Sequence, residues 1–238
     1  WTSGNVVFGA FGGLGRNTYD YGNNAGEFDQ TEGTLGGFVA WYGEKAWVNG
    51  QLSYSQVSFD VDRDVWLGPA KRTHSGSPDG SNFSFGVNAG MQFGEGTVKH
   101  GPVVSLLAQR IDVDGYTESN PTQSTALAYP DQNFDSLIGS IGWQATFELS
   151  EHMKPYARLS YDREFEDYAK EAFARSLTVA GTPEFAVPGL EFDDSYATAV
   201  LGARTELFGM DANVGLSATV GQTDGTDAAV FATFGKSF

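Results

Sequence analysis

The chain has 238 residues with no Cys, 31 Gly, 18 Phe, 10 Tyr and 5 Trp, and only 18% of it is charged. That balance leans towards β structure and excludes a disulfide frame or thiol chemistry. A net charge of −16 with a pI near 4.3 argues against a nucleic-acid partner, which needs clustered Lys and Arg to displace counterions.

No run of the roughly 18 apolar residues that a membrane helix requires is present. A mean hydropathy of −0.28 does not exclude crossing by strands, because their alternation averages out of any sum. The chain opens at Trp1 with no signal-like segment, as expected of a processed or excised piece.

Splitting each segment by parity predicts ten strands, at 4–15, 32–42, 46–59, 82–94, 99–111, 134–149, 153–165, 194–208, 212–222 and 228–238. The plainest is NFSFGVNAGMQFG. Phe83, Phe85, Val87, Ala89, Met91 and Phe93 form one face, and Ser84, Gly86, Asn88, Gly90, Gln92 and Gly94 the other. Later segments repeat the pattern, with Leu137, Ile141, Trp143, Ala145 and Phe147 against Ser136, Ser140, Gly142, Gln144 and Thr146. Val214, Leu216, Ala218 and Val220 likewise oppose Asn213, Gly215, Ser217 and Thr219, while 34–42 and 102–110 are apolar on both parities.

Most of these strands exceed the usual five or six residues and match the roughly nine to eleven that a tilted strand needs to cross a bilayer. Their connections alternate in length. Short turns fall at 43–45, 94–96, 150–152 and 209–211, and long ones at 16–31, 60–81, 112–133 and 166–193, with a shorter one at 223–227. Such sorting puts the long loops at one end, the asymmetry of an outer-membrane barrel. The fold expected is therefore all-β, an antiparallel transmembrane β-barrel of about ten strands. Phe83 to Phe93 would face lipid and Ser84 to Gly94 a wet lumen. Trp41, Tyr42, Trp47, Phe93, Phe147, Tyr156 and Phe208 would form an interfacial girdle. The closing AAVFATFGKSF resembles the C-terminal assembly signal of bacterial outer-membrane proteins, with Phe234 and Phe238 as its aromatic residues.

IDVDGYTE (111–118), STALAYPDQNFDSLIGSIGW (124–143), YDREFED (161–167) and EFAVPGLEFDDSYATAVLGARTEL (184–207) resemble the C-terminal translocator of GDSL-type autotransporter esterases. The resemblance covers most of the chain. It implies a twelve-stranded outer-membrane barrel, a linker helix through the pore and a covalently attached upstream passenger. The implied surroundings are outer-membrane lipid, lipopolysaccharide and the barrel assembly machinery, with long loops extracellular and both termini periplasmic. Residues 1–238 would then be one translocator barrel lacking the linker helix and first hairpin, with a passive porin as the alternative function. The favoured form of this chain is a closed ten-stranded ring in which 4–15 meets 228–238.

No GDSL serine motif and no G-x-S-x-G elbow occurs, and His74, His100 and His152 fall in one long loop and two turn regions, so no enzyme activity is expected. Asp60-Val-Asp62-Arg-Asp64 resembles the start of a calcium loop, but Val65 replaces the required Gly and Lys71 the bidentate Glu. It reads as a solvated acidic segment, and neither metal nor cofactor is expected. The candidate site is a set of lumen-lining charges: Arg110, Glu148, Arg158, Asp162, Glu164, Arg204 and Glu206. Arg158 with Asp162, and Arg204 with Glu206, are placed to pair and to hold water or a threaded polypeptide; equally, such charges fill and stiffen any lumen.

Overall fold

A computed structural model describes residues 1–150, 152–166, 171–179, 181–188, 193–222 and 227–235. In chain order its strands are β1 (Thr2–Ser3), β2 (Val6–Asp20), β3 (Gly26–Tyr42), β4 (Ala46–Leu67), β5 (Ala70–Gly76), β6 (Asp79–Met91), β7 (Val98–Val113) and β8 (Tyr116–Thr117). They continue with β9 (Leu127–Tyr129), β10 (Gln132–Phe147), β11 (Met153–Glu164), β12 (Glu171–Ser176), β13 (Phe185–Pro188), β14 (Ser195–Leu207), β15 (Met210–Val220) and β16 (Ala228–Gly235). Every pair is antiparallel, and the main sheet runs β1-β2-β3-β4-β6-β7-β10-β11-β14-β15-β16 as a curled half-barrel, with β5 beside β4. Each of the ten strands predicted by parity is one of its long members.

Register fixes the faces, because directly opposed residues of an antiparallel pair share a side. Leu52, Phe85 and Ala108 align across three strands, as do Gln51, Gly86 and Leu107 one position away. The first row belongs to an outer face where Leu52, Phe83, Phe85, Val104 and Leu106 stand exposed. The second belongs to an inner face with Ala40, Val57 and Val103 buried beside polar contacts such as Thr34–Ser55 (2.7 Å) and Asn88 donating to Asn49 (3.1 Å). The segments apolar on both parities carry apolar residues on this inner phase too, Phe38, Ala40 and Tyr42 in the one and Val103 and Leu107 in the other. Trp47 and Tyr156, expected in the outer girdle, have inner parity and line an inner cavity with Tyr42.

Two expected loops are largely strand. β2 and β3 pair out to Asp20↔Glu27, leaving a tight turn over 21–25, and β4 continues past the wall to pair with β5 through Leu67↔Ala70. The polar residues there alternate as regularly as the apolar ones before them, and Gly68, at φ +65°, turns the hairpin. The other two long connections carry a second, four-stranded sheet, β13-β12-β9-β8, so segments far apart in sequence meet at the loop end.

The ring does not close as expected. Among the described residues no pairing joins β16 to β2, and both border strands are exposed on both faces, with Leu14 93% and Val230 89% accessible. With the register they hold, ten strands leave two backbone edges free.

Candidate functional site

The inner face of β10, β11 and β14 collects most of the charges singled out from the sequence. Cross-strand pairs Gln144↔Arg158, Ser140↔Asp162 and Ile138↔Glu164 place Arg158, Asp162 and Glu164 on it, and Arg204↔Asn213 and Glu206↔Asp211 place Arg204 and Glu206 there. Arg110 departs from the set. It stands opposite Phe83 and Asp135, on the outer face near the loop end, with its Nε 3.4 Å from Asp112 Oδ1. Parity decides this: Arg110 shares its phase with the exposed Val104 and Leu106.

The ion pairs expected within this set do not form. Residues two apart on a strand stand about 7 Å apart and project in parallel, so their charged ends find nearer partners. Buried Asp162 accepts from Ser160 Oγ at 3.1 Å, and Glu206 meets His152 Nδ1 at 2.9 Å. Glu164, also buried, accepts from Ser136 Oγ (2.5 Å) and from the backbone N–H groups of Leu137, Phe165 and Glu166, so four donors hold its carboxylate in place. Glu148 takes Lys99 Nζ at 2.9 Å. Arg158 is left with a long contact to Ser105 Oγ (3.4 Å), and Arg204 lies over the Tyr156 ring, 5.6 Å from its centroid. Tyr156 in turn donates to Asn213 Oδ1 at 2.9 Å.

Both arginines line a cavity of about 590 Å³ at the short-turn end, closed on its far side by Lys45, Trp47 and Asn49. Of the C-terminal pair, Phe234 is exposed on the border strand β16, and Phe238 lies outside the described residues.

The loop end holds a polar cluster that sequence reading missed. Arg63 donates bidentately to Glu118 (2.6 and 2.7 Å) and to the Thr125 carbonyl (2.8 Å), and Glu118 also accepts from Leu127 N–H (2.8 Å). His74, with no exposed surface, directs Nδ1 at the Ser119 carbonyl and Nε2 at Thr125 Oγ1. A carbonyl only accepts, so Nδ1 carries a proton. Tyr116 and Tyr129 stack at 4.7 Å beside this cluster; burial raises the Tyr116 phenol and pushes that of Tyr129 up to about 12. The Glu118 hydrogen bond raises the Arg63 guanidinium. The signal available in sequence was the alternation of 60–67, which continues the strand and brings Arg63 opposite His74.

Neither the acidic run nor the other histidines make a chemical centre. Asp60, Asp62 and Asp64 lie in strand β4, where Asp64 takes Lys71 and Thr73 and Asp60 takes Ser77. Lys71, with Thr73, holds the Asp64 carboxyl below its ordinary range. Among the described residues no group of three metal-capable side chains converges. His100 stacks on Trp143.

This architecture of a polar inner wall, an apolar outer wall and folded loops at one end has known counterparts. A family model described as the autotransporter beta-domain matches residues 1–220. The chain belongs to the autotransporter β-domain family. It is an outer-membrane translocator barrel with an exposed apolar outer face.

Lipase 1 of Photorhabdus luminescens is 27% identical over 128 residues, 53% of this chain and 20% of that protein. A Pseudomonas putida protein described as uncharacterized, from the trpE-trpG intergenic region, is 27% identical over 151 residues, 63% of this chain and 24% of that one. The chain thus spans a quarter or less of these relatives' length. The translocator domain of autotransporter NalP from Neisseria meningitidis superposes with a TM-score of 0.71 at 18% identity, covering 93% of this chain and 70% of that one. The β domain of the Bordetella autotransporter BrkA gives 0.60 at 15%, covering 98% and 83%. At such identities these two show the fold alone.

Proposed function

We propose that this translocator barrel carries a covalently attached N-terminal passenger across the bacterial outer membrane, with the folded loops outside and the chain termini in the periplasm. The observation that carries the reading is the family match over 1–220 on an open sheet whose two border strands do not pair with each other among the described residues. Lipid offers an unpaired edge no hydrogen bonds, at a cost of several kcal/mol for each orphan group, so the two free edges call for strands besides these ten. A first hairpin preceding β2 would supply them, and a linker helix would continue from the lumen to the passenger. The likeness to Lipase 1 makes a lipase or esterase the passenger class to test.

The barrel itself performs no chemistry in this reading: it supplies a wet polar path through an apolar layer. Its surroundings are outer-membrane lipid, lipopolysaccharide outside and the assembly machinery that reads the terminal Phe234 and Phe238. The charges other than Arg110 line the path. A porin has no need of an upstream partner for its edges, and translocator relatives favour secretion.

A reporter fused upstream of the barrel tests this. Surface exposure of the reporter on intact cells, lost when β16 is truncated, is the expected result. A reporter that stays periplasmic while the barrel inserts normally would refute it. Protease added to intact cells should cut in 112–133 or 171–188 and spare the turns at 43–45 and 209–211; the reverse pattern would invert the orientation.

A further inference from the structure

We infer that Arg158 and Arg204, faced by Lys45, form a binding subsite in the lumen for a polypeptide segment bearing two spaced carboxylates. This rests on the translocator reading, whose cargo is a polypeptide.

The argument begins from an imbalance. The chain carries a net charge of −16, yet the short-turn end of its inner face is cationic where the cavity of about 590 Å³ opens. Lys45, Arg158 and Arg204 line that cavity, and Glu44, in the turn beside Lys45, is the one carboxylate among its lining residues. Of the nearby acids, Glu148 is paired with Lys99 and Glu206 with His152, and Asp211, which lines a second cavity with Arg204, stands opposite Glu206. Among the described residues no carboxylate reaches ion-pair distance of Arg158 or Arg204. Towards the loop end the polarity reverses, and Asp162 and Glu164 sit buried and saturated by hydroxyl and backbone donors. These buried carboxylates thus have their acceptors satisfied from within, while the two arginines line the cavity with no carboxylate at ion-pair distance among the described residues.

A guanidinium presents five donors in a planar fork suited to a carboxylate. The backbone sets the spacing. Arg158 pairs across from Val200, and Arg204 lies four residues further along that strand, about 13 Å at roughly 3.3 Å per residue. One small anion does not bridge that distance without bending both side chains together. Two carboxylates on one polypeptide match it. Tyr156, held by Asn213, fixes the Arg204 guanidinium against its ring, and Gln92, Gln144 and Asn49 offer amides to the backbone of the segment.

The test uses the barrel together with its upstream strands, folded in detergent, and a labelled peptide with two Glu about four extended residues apart, alongside its Gln counterpart. Fluorescence anisotropy should show saturable binding of the Glu peptide at least about tenfold tighter than the Gln peptide, weakening as salt rises. Arg158→Gln combined with Arg204→Gln should abolish the difference, whereas Arg16→Gln, at the loop end, should keep it. Equal binding of the two peptides by the unaltered chain overturns the subsite whether or not the double variant folds, and so does a difference that survives in the folded double variant. Inorganic phosphate competing as strongly as the Glu peptide would also overturn it, in favour of a single-anion site. A chain that displays its passenger but shows no charge-dependent binding would defeat the subsite and spare the translocator reading; binding without display would do the opposite.

Discussion

In the wall of the barrel, β6 turns Phe83 and Phe85 outward and Ser84 and Gly86 inward, and few side chains are fully buried. At the loop end the proportions invert: Arg63, Glu118, His74 and Thr125 interlock, and Ala126, Ala128 and Ala174 are buried around the small sheet of β8, β9, β12 and β13. The wall depends on backbone ladders because the acyl chains outside supply no hydrophobic drive and no hydrogen bonds. The cap is surrounded by water and needs a core of its own, which it builds around one paired charge. The wall is therefore robust to polar changes on one face and intolerant of them on the other, whereas the cap hangs on a few specific contacts.

Breaking the cap's charge pair should have the largest effect. Glu118→Ala leaves the Arg63 charge with only the Thr125 carbonyl and the Leu127 N–H without its acceptor, and should destabilise the cap by about 3–5 kcal/mol. Hydrogen exchange across 114–131 should accelerate sharply while the heat-modifiable mobility of the barrel stays unchanged; loss of both would mean that wall and cap are one cooperative unit. In the wall, Phe85→Arg should cost about 2–4 kcal/mol, and Ser84→Arg, one residue away on the inner face, far less. Unfolding midpoints in lipid vesicles measure the contrast, and similar costs at the two sites would reverse the assignment of faces.

The stacked tyrosines give a smaller, pH-dependent effect. The Tyr129 phenol is raised from its ordinary 10.0 to about 12 in the folded cap, so its contribution is complete below pH 10 and disappears as pH climbs through 12. Cap stability should fall in that window by on the order of 1 kcal/mol, and Tyr129→Phe should flatten the dependence. Ultraviolet titration of tyrosinate alongside exchange in 114–131 would reveal it; a cap indifferent to pH in this window refutes the burial argument. Least of all, Arg16→Gln at the exposed border strand should leave the unfolding midpoint unmoved, because the pair with Asp29 is bathed in solvent.

The faces of the wall were legible from residue types alone, since a strand has a side-chain period of two and lipid demands apolar groups on one phase. That is why NFSFGVNAGMQFG assigned its own outer and inner sides, and why the ten long strands emerged, with ends near the expected short turns but with β2, β3 and β4 running well beyond theirs at the loop end. The same rule, applied strictly, also places Arg110 outside with Leu106 and Tyr156 inside with Arg158, which residue chemistry by itself obscured. Partners across the lumen and between loops depend on strand stagger, and that is a property of the assembled sheet. Arg158 faces the cavity with no carboxylate beside it and Asp162 turns to Ser160 because of such neighbours. Nothing local in 114–131 announces that Glu118 will meet Arg63, because the contact spans 55 positions and exists only once β4 has grown past the wall and the loop has folded back onto it. The sequence by itself determined the period, the class of fold and the polarity of each face; the tertiary structure decided which charges find partners, where the cap seals and that the two sheet edges stay apart.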